Sequence, residues 1–124
     1  MSQHILIVDD EKNIAISVDY LLRREGYQVS VAHDGEEGLR LIRSDRPDLV
    51  LLDIMMPKLN GFQVCEAVRQ DPALAGIRIV MLTAKGRDAE KEKGLALGAD
   101  AYITKPFSTR ELVSQVKTLL APPA

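Results

Sequence analysis

At 124 residues the chain has the size of one ordinary domain, long enough to bury a core without disulfides or a structural metal. With 46% apolar and 27% charged residues and a formal net charge of −2, it has the profile of a soluble globular protein. It offers no basic block for nucleic acid or anionic membranes and no apolar run long enough to span a bilayer. Met1-Ser2-Gln3 leads into an apolar run without a signal-peptide layout, and the single cysteine, Cys65, excludes an internal disulfide, so a reducing cytoplasm is the expected location.

In chain order, Ile5 to Val8 reads as a continuous apolar strand. Asp9-Asp10-Glu11 opens a helix, since acidic groups favour a helix N-terminus. Ile14, Val18, Leu21 and Leu22 share one face of that helix, and Gly26 stops it. Tyr27 to Ala32 alternates, the pattern of a strand with one better-buried face. Asp34 caps a second helix with Glu37 three residues on, Leu39 and Ile42 mark its inner side, and Pro47 closes the segment.

Leu49 to Leu52 is a third strand, apolar on both faces, followed by a turn-rich stretch with Pro57 and Asn60-Gly61. Val64, Cys65 and Val68 line a third helix that stops before Asp71-Pro72. Cys65 there reads as a small buried side chain. Ile77 to Leu82 is the fourth strand, and a polar loop from Thr83 to Asp88 leads to a fourth helix ending near Gly98. That helix has few large apolar residues at helical spacing. Ala101 to Thr104 is a short last strand. Ser108 to Glu111 has capping-box form and begins a last helix with Leu112, Val116, Leu119 and Leu120 as its inner stripe. Residues 1–120 form one domain, and Ala121-Pro122-Pro123-Ala124 reads as a tail or the start of a linker.

Five βα units imply an α/β fold: a single doubly wound parallel sheet of five strands with helices on both faces. Strands apolar on both faces belong in the centre and the alternating and partly polar ones at the edges. The flavodoxin-like order 2-1-3-4-5 satisfies both. Its winding reverses between strands one and three, and ligands bind outside the strand C-termini at such a point. Asp9 and Asp10, Asp53, Thr83 with Ala84, and Lys105-Pro106 all lie at that rim. Singly each has a plain explanation: a cap, a turn former, a solvated lysine. Together they gather three carboxylates, a hydroxyl and an ammonium. Carboxylates so placed repel one another unless a cation intervenes, and oxygen donors without His or Cys suit Mg²⁺ rather than zinc. His4 and His33 have no ligand-like spacing. An activated carboxylate can form an aspartyl phosphate, with metal and lysine neutralising the transferring group. A Walker loop and a dinucleotide glycine fingerprint are both missing, which argues against a nucleotide donor.

The ordered pieces Asp9-Asp10, Leu52-Asp53-Ile54-Met55-Met56-Pro57, Asn60-Gly61, Leu82-Thr83-Ala84 and Lys105-Pro106-Phe107 resemble the receiver domain of bacterial two-component response regulators, from His4 to Leu120. The resemblance implies that Asp53 accepts a phosphoryl group from a histidine kinase or phosphotransfer protein. Asp10, Asp53 and the Met55 backbone carbonyl would hold Mg²⁺, with Asp9 acting through water. Thr83, Lys105 and the Ala84 N–H would bind phosphoryl oxygens. Lys105-Pro106 falls where the family has a cis peptide bond, and Tyr102 matches its aromatic switch residue. Phosphorylation would draw Thr83 inward, let Tyr102 follow, and rearrange helix four, strand five and helix five for a partner, an attached output domain or a second copy of the chain. No enzymatic activity toward other substrates, no direct nucleic-acid binding and no membrane contact are implied. Positions two after the phosphoacceptor and two after the threonine tune hydrolysis in the family; Met55 and Lys85 stand there, and slow self-dephosphorylation is expected.

Ala101 and Gln115 depart from the ion-pair network of receivers attached to winged-helix domains, although Asp100 and Lys93 could supply part of it. A complete single-domain regulator and a piece of a longer protein both fit the sequence. A Mg²⁺-dependent phosphatase or mutase working through an aspartyl phosphate is the enzymatic alternative, but its nucleophile usually follows strand one. A flavin carrier would want a hydroxyl-rich loop where this chain has acids. Kinase, output partner and pathway are not legible.

Overall fold

In a computed structural model that describes residues 3–84 and 86–121, the elements alternate as the apolar pattern demands. They are β1 (His4–Val8), α1 (Lys12–Arg24), β2 (Gln28–Ala32), α2 (Gly35–Asp45), β3 (Leu49–Asp53), α3 (Gly61–Arg69), a 3₁₀ turn (Pro72–Leu74), β4 (Arg78–Ala84), α4 (Asp88–Ala96), β5 (Ala101–Lys105) and α5 (Thr109–Leu120). All strand pairs are parallel and the order is β2-β1-β3-β4-β5. β3 is buried along its whole length at the centre.

Side-chain alternation splits the core in two. Ile5, Ile7, Leu49, Leu51, Val80, Leu82 and Ile103 face α1 and α5, meeting Val18, Leu22, Leu112 and Val116. Leu6, Val8, Val50, Leu52, Ile79 and Met81 face the opposite way onto α2 and α3, meeting Leu39, Ile42, Val64, Cys65 and Val68. Cys65 is wholly buried, as its position on the apolar stripe requires, and burial pushes its thiol pKa up.

The weak apolar stripe of α4 has a structural counterpart. Its one buried residue is Gly94, where an added Cβ would lie 3.1 Å from Met81 Cγ. The helix therefore lies close over β4 by being small rather than greasy. Its C-terminal end is tied down by polar contacts: Arg69 Nε donates to the Gly98 carbonyl (2.8 Å), and Arg69 Nη2 pairs with Asp100 Oδ2 (2.8 Å), which also accepts from Ile79 N–H.

Several local expectations need correction. β4 runs through Thr83 and Ala84 rather than stopping at Leu82, because both pair in register with Thr104 and Lys105 of β5. β5 is as long as β1, β2 and β3, at five residues, for the same reason. Glu37 reaches back to the N–H of His33 instead of that of the cap residue Asp34, whose own side chain does accept from Glu37 N–H. Asn60-Gly61, read as a turn, also carries a complete capping box: Asn60 accepts from Gln63 N–H, and the Gln63 side chain accepts from Asn60 N–H (both 2.9 Å). Within the chain Asp100 pairs with Arg69 and Arg78, and Lys93 lies 4.6 Å from the Phe62 ring centroid. Residues 122–124, the tail reading, and Lys85 lie outside the described residues.

Candidate functional site at the strand C-termini

The rim that strand order singles out holds the buried carboxylates among the described residues. Asp9, Asp53 and Thr83 are the polar residues buried among those described. Alternation fixes where they point. Asp9, Asp53 and Lys105 each lie two residues beyond a strand residue facing α1 and α5 (Ile7, Leu51, Ile103), so they share that side. Thr83 lies two beyond Met81 and points the other way, toward the α4 side. Tyr102 and Thr104, in register with Met81 and Thr83, share its face.

Carboxylate oxygens of Asp9, Asp10 and Asp53 lie within 4.8 Å of one another. The Lys105 ammonium bridges the cluster, 3.0 Å from Asp9 Oδ2, 3.2 Å from Glu11 Oε1 and 3.3 Å from Asp53 Oδ1. Asp9 Oδ1 also accepts the Glu11 N–H at 2.9 Å. Asp53 is 7% exposed, and burial, joined by the negative charge of Asp9, raises its pKa to about 6 against the pull of Lys105. Burial disfavours the Lys105 charge, yet its hydrogen bond to Asp9 and the charge of Asp53 outweigh that and hold its pKa above the usual lysine value. One ammonium stands among four carboxylates, Asp9, Asp10, Glu11 and Asp53, and contacts three of them. The surplus negative charge on a set of hard oxygen donors fits a divalent cation such as Mg²⁺.

A cleft of about 520 Å³ opens over Asp53, walled by Ile14, Ile54, Met55, Ala84, Lys105 and Phe107 among others. The Lys105-Pro106 peptide bond at its edge is cis. Met55 lies in the turn directly after β3, and its side chain is exposed. Gly61 allows that turn to close: its N–H donates to the Ile54 carbonyl at 2.9 Å, and a Cβ there would stand 2.5 Å from the Asp53 carbonyl oxygen. Thr83 Oγ1 is fully buried and has no hydrogen-bond partner among the described residues, an uncommon state for a buried hydroxyl. Tyr102, 38% exposed, is turned outward beneath Lys91, whose Nζ stands 5.0 Å from its ring centroid. Of the sequence-derived residues, Asp9, Asp10, Asp53 and Lys105 come together, while Thr83 and Tyr102 lie on the opposite face of the sheet. Glu11 is the member that sequence reasoning left as a helix opener, although its place directly after Asp9-Asp10 was a usable signal. His4 Nε2 lies 2.8 Å from Ser30 Oγ, away from this rim.

The chain belongs to the response regulator receiver domain family, whose model matches residues 5–117. It is 48% identical over 120 residues to the alkaline phosphatase synthesis transcriptional regulatory protein PhoP of Bacillus subtilis, covering 97% of this chain and 49% of that protein. The chain therefore spans about half the length of that curated relative. A Chloroflexus aurantiacus structure described as a response regulator superposes with a TM-score of 0.94 at 39% identity, covering 98% of this chain and 100% of the other. The chemotaxis response regulator CheY4 of Vibrio cholerae gives 0.91 at 32% identity, covering 97% and 100%. This is a receiver domain of two-component signalling. Among the described residues no helix is long and apolar enough to cross a membrane.

Proposed function

We propose that Asp53 is the phosphoacceptor of a phosphorylation-driven switch, taking its phosphoryl group from the phosphohistidine of a sensor kinase or phosphotransfer protein. The observation that carries this reading is the setting of Asp53: a nearly buried carboxylate at the end of the central strand, with an ammonium at 3.3 Å and two more carboxylates beside it. A carboxylate oxygen of Asp53 attacks the phosphorus in line as the P–N bond to the donor histidine breaks; the neutral imidazole leaves with a proton, and Asp53 becomes a mixed anhydride with phosphate. Mg²⁺ held by Asp10, Asp53 and the Met55 carbonyl, with Asp9 acting through water, would supply charge neutralisation for the transferring group. Lys105 moves from carboxylate partners to a phosphoryl oxygen. Thr83 Oγ1 and the Ala84 N–H take the remaining oxygens, and the unpartnered state of that hydroxyl supports its part.

The geometry supports the switch reading. Thr83 and Tyr102 lie on one face of neighbouring strands, so a Thr83 side chain drawn toward the phosphoryl group leaves space on the side where Tyr102 stands. With few apolar anchors, α4 is the soft element of the α4–β5–α5 surface, and two arrangements of that surface would differ in what they offer a partner, a second copy or an attached output domain. The domain acts on itself alone, and Met55, carrying no carboxylate or amide beside Asp53, gives slow self-dephosphorylation, minutes or longer.

Intact-mass spectrometry with acetyl phosphate tests the reading. A single phosphate adduct is expected with Mg²⁺, none with chelator, and none in Asp53→Asn. An adduct of equal yield in Asp53→Asn would overturn the assignment.

A further inference from the structure

The Lys105 ammonium has three N–H donors, and three carboxylates surround it: Asp9 at 3.0 Å, Glu11 at 3.2 Å and Asp53 at 3.3 Å. In the unmodified protein every donor is therefore committed. A phosphoryl oxygen arriving on Asp53 can gain the ammonium only when one of these partners lets go.

The three are not equivalent. Asp9 is fully buried, and its second oxygen is fixed by the Glu11 N–H at 2.9 Å, so swinging it away would leave a buried charge unpaired. Asp53 carries the reacting oxygen. Glu11 precedes the first turn of α1, and its side chain makes no cap for that helix. The side chain turns instead to Lys105 from the wall of the cleft, and it is 58% exposed. When released, that carboxylate returns to water at little cost.

We infer that Glu11 is a positioning residue for phosphoryl binding: it holds the place on Lys105 that a phosphoryl oxygen takes, and it is the partner that yields. The inference rests on the phosphoacceptor reading of Asp53 and adds a built-in competitor to it. Removing the competitor tightens the phosphorylated state.

A nearby negative charge would also repel a phosphoryl group through space, and two variants separate the effects. Glu11→Gln keeps the length and removes the charge. Glu11→Asp keeps the charge and is one methylene too short to reach Nζ. The first readout is proton exchange of the Lys105 ammonium in metal-free, ¹⁵N-lysine-labelled protein, with the resonance assigned by its loss in Lys105→Met. Both variants should speed that exchange. The second is beryllofluoride affinity in the presence of Mg²⁺, which should tighten by about two- to five-fold in both, the range of one exposed ion pair.

Unchanged ammonium exchange overturns the inference, as does unchanged or weaker beryllofluoride binding in the variants. Tightening in Glu11→Gln with wild-type affinity in Glu11→Asp overturns it too, in favour of plain repulsion. A wild-type protein that binds no beryllofluoride, while both variants still free the ammonium, refutes the phosphoacceptor reading and with it the exchange on Lys105. The contact between Glu11 and Lys105 would survive that result.

Discussion

Replacing Asp53 by Asn should make the metal-free protein more stable at neutral pH, because the wild-type carboxylate is held in a place that resists its charge. Burial first, and the negative charge of Asp9 second, raise its pKa from 3.8 to about 6 despite Lys105. The folded state therefore binds this proton more tightly than the unfolded chain does. Between about pH 4 and pH 6 folding takes up a proton, so stability falls as pH rises through that window and the full cost is present above it. Each tenfold in proton affinity corresponds to about 1.4 kcal/mol, so the ionised carboxylate costs about 3 kcal/mol at pH 7. Asn is the neutral isostere of the protonated acid and escapes that cost, while Lys105 keeps Asp9 and Glu11 as partners. Urea unfolding of both proteins at about pH 4 and about pH 7.5, with chelator, should give near-equal stability at the lower pH and an advantage of about 2–3 kcal/mol for the variant at the higher. Saturating Mg²⁺ should narrow the gap, since the metal binds the native carboxylate cluster. An advantage that is the same at both pH values, or a variant less stable than wild type at pH 7.5, would refute the reasoning.

Gly61→Ala should cost about 1–3 kcal/mol in chemical denaturation and slow adduct formation, because the new methyl would press on the Asp53 carbonyl oxygen and displace the strand end; wild-type stability with wild-type labelling would contradict this. Lys91→Met should change the population of outward Tyr102 by about two- to five-fold, read as a shift of one of three ¹⁹F resonances in fluorotyrosine-labelled protein, with Tyr20 and Tyr27 unmoved. Arg69→Ala removes the pair with Asp100 and the bond to the Gly98 carbonyl. It should lose about 1–3 kcal/mol and speed hydrogen exchange from Leu95 to Asp100; protection unchanged there would show that α4 is held by something else.

Most of the fold was legible because apolar pattern and strand order depend on the same burial. β3 reads as doubly apolar and lies at the sheet centre, while Gln28 and Ser30 mark β2 as an edge. The site was legible for the same reason: once the order is known, Asp9, Asp10, Asp53, Thr83 and Lys105 fall on one rim. What escaped depends on contacts that periodicity does not encode. Thr83 and Ala84 look like loop residues until β5 supplies their pairing. α4 looks weak because its packing residue is Gly94, which carries no hydrophobic signal. The partners of Asp100 do not show in the sequence, because Arg69, Arg78 and the Ile79 N–H converge on it across distant segments. Glu11 was read as a helix opener because the lysine it faces is 94 residues away.

The central claim is that the phosphoryl group sits on the Asp53 carboxylate, and borohydride trapping followed by peptide mapping tests it most directly. An acyl phosphate at Asp53 is reduced to the alcohol, so protein treated with acetyl phosphate and Mg²⁺ should show homoserine at position 53, with none when the donor is omitted. Homoserine at Asp9 or Asp10 instead, or a phosphate adduct that resists borohydride, would contradict the account.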